Sequence, residues 1–409
     1  MKQLLHTPEG VRDIYNTEYG NRLETEDRIR TIIRRYGYSE LQTPTFEFFD
    51  IFSKDRGSVS SREMYKFFDR DGNTLVLRPD MTPPVARCAA KYYTDEPFPV
   101  KLSYLGSTFI NHTSYRGRLR ESTVIGAESI GDPSADADAE VIAAVVEALL
   151  ASGLRDFQIV IGQVAFFDSL AAEAGLDPQT KEMLRDLIDK KNFFGVEELI
   201  REHIKDEKLS KVMLKLPEMI GGPELLDEVL SAELGSGSRE AIERLKELYS
   251  ILEIYGATDH VSFDLGMLGK YSYYTGIIFR GMTYGVGEPI VSGGRYDDLM
   301  KQFGKDAPAV GFCISIDGLM SALSRQNVKL MPQSVDNLIV YTAEKQQAAI
   351  KLAKKLRASG KSVILMSKGD NTQLGELVEY ARRSHIDCVL YLQEGSNEIE
   401  SIVTKEDRK

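Results

Sequence analysis

The sequence predicts an α+β fold, and three observations carry that prediction. Strand-like runs and tight turns, with two helical stretches among them, lead from "YGYSELQT" to "DFQIVIGQ", and strand patterns resume at "HVSFDLGM". Between them, from about Ala171 to Tyr255, the texture changes to charge-rich segments of helical period, broken once at "LPEMIGGPELL". From Asn337 onward strand and helix patterns alternate, as in a small α/β domain with a parallel sheet. The expected division is a core over 1–325 with a helical insertion at about 171–255, a linker at 326–336, and a second domain over 337–409.

Each element has a local reason. Glu18 to Tyr36 is amphipathic, with Leu23, Ile29, Ile32 and Ile33 among many charges, and predicts a helix. "YGYSELQTPTFEFF" reads as turn, strand and a break at Pro44. "EMYKFFDRDG" and "NTLVLRPD" read as two strands joined at Asp71-Gly72-Asn73, a good hairpin turn. "DMTPPVARCAAKYY" predicts a helix with Pro83 and Pro84 in its first turn, where a missing N–H costs nothing. A hairpin then rises through "VKLSYLGSTF" and returns through "STVIGAESIG". "DADAEVIAAVVEALLASG" predicts a long helix ending at Gly153, and "DFQIVIGQ" a strand. After the insertion, "HVSFDLGM", "YYTGIIFRGMTYG" and "EPIVSGGRYDDL" read as strands, and "SIDGLMSALSRQ" as a closing helix. In the last domain "NLIVY", "SVILM" and "CVLYL" are strands, alternating with helices from Glu344 and Thr372.

Composition narrows the function. The 409 residues are 42% apolar and 28% charged, which suits a folded core and excludes global disorder. A net charge of -11 argues against bulk adhesion to nucleic acid or an anionic membrane. "MKQLLHTPEGVRDI" has no apolar run of signal-peptide length, and "VIAAVVEALLASGL" is too short to span a bilayer and holds Glu147. Cys88, Cys313 and Cys388 lie far apart with no CxxC pair, so they read as reduced thiols of a cytosolic protein and predict no metal site. Asn111-His112-Thr113 matches a glycosylation sequon, read as chance without a secretion signal.

The motifs pose a contradiction. No phosphate loop, dinucleotide fingerprint, HExxH or G-x-S-x-G is present. "TFINHTSYRGRLRES" nevertheless has the build of a hairpin that grips a nucleotide triphosphate, with Arg116, Arg118 and Arg120 on its return leg. Its inward positions after Phe109 are Ile110, Asn111 and His112, none of which can clamp an α-phosphate.

An ordered series explains this: "TPEGVRDI", "LRPDMT", the arginine-rich hairpin, "GAESIG", "DADAEVI", "YYTGIIF", "SGGRYDDL" and "AVGFCISIDGL". In this order the motifs resemble the class II histidyl-tRNA synthetase family over nearly the whole chain. The resemblance implies a class II synthetase-like antiparallel sheet core, with a shortened anticodon-binding-like α/β domain at the end. Synthetases of that family carry Phe-Arg-x-Glu where this chain has Phe109-Ile110-Asn111-His112, and a return-strand glutamine where it has Val124. Their Arg-Gly-Leu-Asp-Tyr-Tyr-Thr-Gly corresponds to Gly269-Lys270-Tyr271-Ser272-Tyr273-Tyr274-Thr275-Gly276. Their closing Gly-x-Glu-Arg corresponds to Ser315-Ile316-Asp317-Gly318. The arginines expected at Ile110, Gly269 and Gly318 are therefore all absent. Losing one such donor typically costs about 3–4 kcal/mol, or about 10²–10³ in rate. Lys270 is a point charge on the opposite strand face and a poor substitute for a fork.

The amino-acid side of the pocket is better kept. The resemblance places Asp80, Glu128, Tyr273 and Tyr274 where carboxylates and phenols would hold a small, histidine-like ligand. Arg118, Arg120 and Arg295 are candidates for phosphate or anion contact. The alternative is a vestigial core, with Glu128 paired to one of these arginines and the tyrosines as packing. Within the family, the disarmed phosphate side resembles the regulatory-subunit paralogue of ATP phosphoribosyltransferase. That resemblance implies no catalytic residue and no cofactor. It also implies a homodimer within a hetero-oligomer with a short-form ATP phosphoribosyltransferase catalytic subunit, and histidine as effector in the first step of histidine biosynthesis. A working histidyl-tRNA synthetase, and a histidine- or tRNA-sensing binding protein of the same fold, are the alternatives.

Overall fold

Helix α1 (Asn16–Arg35) buries Ile29, Ile32 and Ile33 on one side. Along its length, Arg22–Glu26 and Arg28–Glu24 pair four residues apart. The structure, a computed structural model, describes residues 5–52, 59–112, 118–269, 273–330, 334–369, 372–395 and 398–404. It divides into two compact units, Met1–Lys329 and Leu330–Lys409.

Strands β1 (Ser39–Glu40) and β2 (Phe46–Phe48) follow α1. The run read as a turn, a strand and a break at Pro44 supplies two short strands, one on each side of Pro44, to two different sheets. β3 (Lys66–Phe68) and β4 (Thr74–Leu77) form the expected hairpin. The Asp69 carboxylate accepts the N–H groups of Asp71 and Asn73 across its turn, and Gly72 takes φ +83°. α2 (Thr82–Tyr92) begins with its two prolines. β5 (Val100–Phe109) and β6 (Glu121–Ile130) pair antiparallel from Val100↔Ile130 to Phe109↔Glu121. α3 (Ala135–Ser152) is capped by Ser134, whose Oγ accepts the Ala137 N–H, and β7 (Phe157–Gln163) follows.

The charge-rich stretch is helical: α4 (Val164–Glu173), α5 (Pro178–Asp189), α6 (Phe193–His203), α7 (Glu207–Lys215), the short strand β8 (Ile220–Gly221), α8 (Glu224–Leu230) and α9 (Ser236–Tyr255). Side-chain caps from Asp177, Asn192 and Asp206 start three of these helices. β9 (Val261–Asp264), β10 (Ile277–Thr283), β11 (Val291–Arg295), β12 (Ala309–Ser315) and α10 (Ile316–Arg325) complete the first unit.

Among the described residues the first unit holds a nine-stranded sheet in the order β1-β5-β6-β12-β11-β10-β7-β9-β8 and a three-stranded sheet β2-β4-β3. The six central strands pair antiparallel, whereas β1–β5 and β7–β9 pair parallel. Side chains alternate across a strand, so Leu102 and Tyr104 of β5 share a face with Val124 and Glu128 of β6. That face carries a core built with Met81, Val85, Tyr273, Tyr296 and Leu299. α3 packs against α1, α9 and β12.

The second unit alternates as expected: β13 (Val335–Tyr341), α11 (Gln346–Ala358), β14 (Val363–Ser367), α12 (Leu374–Arg383) and β15 (Ile386–Leu392). β13 is parallel to both β14 and β15. Leu338 and Val340 pack with Leu377 and Ala381 of α12, while Ile339 packs with Ala349 and Ala353 of α11. A fourth strand, β16 (Ile399–Val403), pairs antiparallel with β15 and was not anticipated; it is short and mostly exposed. No helix among the described residues is long and apolar enough to cross a membrane.

Candidate functional site: a cavity on the central sheet

β6, β11 and β12, the start of α2 and the segment before β10 enclose a cavity of about 180 Å³. Asp80, Glu128 and the adjacent Tyr273 and Tyr274, from three distant parts of the chain, all line it. Thr82, Tyr296 and Cys313 join them. Another part of the wall is apolar: Ile110, Val124, Pro289 and Ile290. No Lys, Arg or His is among the described residues that line it.

Glu128 sits at 1% exposure on β6. Tyr296 donates to its Oε2 at 2.7 Å, Thr82 to its Oε1 at 2.9 Å, and Tyr104 to Oε1 at 3.4 Å. Burial dominates its titration and pushes the carboxyl up to about 8. The hydroxyl donors of Tyr296 and Thr82 oppose that shift, and the charge of Asp80 adds to it. Burial also raises the Tyr104 and Tyr296 phenols well above their ordinary range, so both remain neutral donors. Space around the carboxylate is tight: a Cβ on Gly311 would stand 1.6 Å from Oε2.

Asp80 turns one oxygen to the N–H groups of Met81 and Thr82, at 2.7 and 3.2 Å, and thereby fixes the first turn of α2. Its other oxygen lies 3.5 Å from the Tyr273 hydroxyl. The Tyr273 ring stands edge-on to Tyr274 at 4.9 Å and to Tyr296 at 5.9 Å. Two negative or potentially negative groups and a wall of phenols favour a ligand group that donates hydrogen bonds or carries positive charge.

The three candidate arginines do not line this cavity. Arg118, about half exposed, pairs with Glu288. Arg120 uses its backbone N–H on the Gly10 carbonyl at 2.7 Å, and its side-chain stem lies against Gly10. Arg295 is buried in an ion pair with Asp138, Nη2 to Oδ1 2.6 Å and Nε to Oδ1 2.9 Å. Its remaining N–H groups reach the carbonyls of Asp132 and Ser134, and Asp297. Arg244 binds the other oxygen of Asp138 at 2.8 Å. The buried partner of Glu128 is thus a set of hydroxyls.

The substituted motif positions have definite places in the structure, and at Gly269 the backbone accounts for the residue. Ile110 and Val124 are cavity wall. Gly269 takes φ +79°, a conformation that an L side chain such as arginine adopts only with strain. Gly318 lies in the first turn of α10, where its N–H is accepted by Ser315 Oγ at 3.1 Å, while Asp317 accepts the Thr123 N–H at 2.8 Å. Arg116 and Lys270 lie outside the described residues.

Sequence reasoning missed Thr82, Tyr104 and Tyr296. Thr82 and Tyr296 lie inside quoted motifs, "LRPDMT" and "GGRYDD", but nothing local announces their shared carboxylate. It also missed Arg78, buried, which donates to the carbonyls of Ser107 at 2.8 Å and Thr43 at 2.8 Å.

Residues 10–319 match the family described as histidyl-tRNA synthetase. A protein of Acetivibrio thermocellus named ATP phosphoribosyltransferase regulatory subunit is 41% identical over 393 residues, covering 96% of this chain and 94% of that one. One of the same name from Ruminiclostridium cellulolyticum is 40% identical over 408 residues, covering 98% and 96%. The chain belongs to the ATP phosphoribosyltransferase regulatory subunit family. A solved structure from Bacillus halodurans, described as an ATP phosphoribosyltransferase regulatory subunit/histidyl-tRNA synthetase, matches with a TM-score of 0.85 and 31% identity, covering 96% of this chain and 99% of that one. The α+β, class II synthetase-like architecture read from the motif series is therefore the fold of this family member.

Proposed function

We propose that this chain is the non-catalytic regulatory subunit of an ATP phosphoribosyltransferase, acting with a short-form catalytic partner in the first step of histidine biosynthesis. The observation that carries the reading is the asymmetry of the cavity. Its carboxylate and phenol side is retained, whereas Ile110 and Val124 present apolar wall where synthetases place an arginine and a glutamine. Adenylate formation depends on positioning and charge stabilisation of phosphoryl oxygens, and such a wall supplies neither.

Histidine is the effector in this reading, with its ammonium or imidazole directed to Glu128 and Asp80 and its flanks against Tyr273 and Tyr274. The active assembly is a homodimer within a hetero-oligomer in the cytoplasm. Phe46, Phe48 and Phe67 support the homodimer: they are on one face of the three-stranded sheet, and all are exposed. Residues 337–409 serve as a shortened anticodon-binding-like domain on a class II core.

The test is an ATP phosphoribosyltransferase assay of the mixed subunits with and without L-histidine, on the wild type and on Glu128→Ala and Tyr274→Ala. Inhibition of the wild-type mixture, weakened in both variants by about 5–150-fold in apparent affinity, is the expected result. Equal inhibition in both variants would remove the effector from this cavity.

A further inference from the structure

The cavity is held from a distance by a corner of the helical insertion. α5 ends at Asp189, and Lys191 follows in the left-handed region at φ +53°. Its N–H bonds the Ile188 carbonyl at 2.9 Å and that of Asn192 bonds the Leu187 carbonyl at 2.9 Å, a helix-ending turn in which glycine or asparagine is the unstrained choice. The chain places a lysine there, and the lysine has a use. Its Nζ bridges both oxygens of Asp264, at 2.9 and 3.0 Å, where β9 ends. Asp264 Oδ1 in turn accepts the Gly266 N–H at 3.0 Å. One turn back on α5, Arg185 donates to the Leu268 carbonyl at 2.7 Å. Both ends of segment 264–268 are therefore gripped by the same helix corner.

That segment supports the tyrosine wall. Met267 is buried with Val164 and Ile278, and Tyr274 packs on this cluster. Tyr274 meets Tyr273, Tyr273 meets Tyr296, and Tyr296 donates to Glu128. A path of direct contacts thus runs from Lys191 to the buried carboxyl.

We propose that Lys191, with Arg185, is a positioning residue for the cavity: through Asp264 and Met267 the insertion corner sets the placement of Tyr273 and Tyr274. The consequence for ligands rests on the cavity reading above. Its mechanical part does not. The backbone strain at position 191 separates a positioning role from a merely stabilising one. Lys191→Gly removes the charge and relieves the left-handed strain, so it should melt close to the wild-type temperature while loosening the cavity.

Cys313 lines the cavity and reports its opening. In a full-length Cys88→Ser, Cys388→Ser background, the rate of Cys313 modification by methyl methanethiosulfonate is measured for wild type, Lys191→Gly, Lys191→Met and Lys191→Arg, alongside their melting temperatures. Labelling should rise about 3–30-fold in Lys191→Gly and Lys191→Met, with Lys191→Arg near the parent rate. Equal labelling in all four, or acceleration that merely follows a fall in melting temperature, would overturn the proposal. A calorimetric titration with L-histidine forms the second arm, in which the Gly and Met variants should bind more weakly by a similar factor. If the parent protein binds no L-histidine, the effector reading of the cavity fails, and the labelling rates still decide the positioning role.

Discussion

Glu128 has unusual leverage for a single side chain. Three hydroxyls reach it, yet burial outweighs them and lifts its carboxyl from an ordinary 4.5 to about 8. The folded protein then holds a proton through a pH range in which the unfolded chain has already released it. Because the native state binds more protons there, this residue's contribution to stability falls as pH rises from about 4.5 to about 8. The slope is at most about 1.4 kcal/mol per pH unit. Glu128→Gln keeps an acceptor for Tyr296 or Thr82 and removes the titration. The stability of wild type relative to Glu128→Gln, from urea unfolding at intervals between pH 5 and 8, should decline with pH. A difference that is flat over that range would show that Glu128 ionises normally. Glu128 itself was visible in "GAESIG" through family resemblance. Its hydroxyl donors were not, because a cross-strand contact between positions 128 and 296 leaves no trace in either local pattern.

Among elements, those with strong local signals appear where the sequence put them. α1 follows its apolar period, the β3–β4 turn its Asp71-Gly72-Asn73, and α2 its paired prolines. β8, two residues long, exists only because β9 pairs with it, and no window of sequence could have shown that. Arg295 makes the same point about roles. Read as a possible anion contact, it ties β11 to α3 through Asp138, 157 residues away in sequence. Both side chains are buried and Asp138 would keep only the partly exposed Arg244, so Arg295→Met should destabilise by up to about 3–5 kcal/mol, the usual cost of removing one partner from a buried pair. Arg118→Ala, which breaks a pair on the open surface, should change stability by less than about 1 kcal/mol. Denaturation midpoints of the two variants give the comparison directly; similar shifts would mean the Asp138 network is no tighter than a surface pair.

For the whole molecule, the exposed aromatic face of the three-stranded sheet matters most. Phe46 and Phe48 are 53% and 55% exposed, and their placement on one face makes a patch that association would cover. Light scattering at micromolar concentration should report a dimer for the wild type and a monomer for the double variant Phe46→Ser, Phe48→Ser. A dimer that survives the double substitution would place the interface elsewhere. The larger claim is that a synthetase-like fold acts here without catalysis of its own. It is tested most directly by the steady-state rate of ATP-dependent phosphoribosyl transfer from phosphoribosyl pyrophosphate, measured on a short-form catalytic partner titrated with this chain. This chain alone should show no turnover, and the rate should climb with added chain to a plateau at a fixed subunit ratio. Turnover by the chain alone, or a partner rate indifferent to its addition, would contradict it.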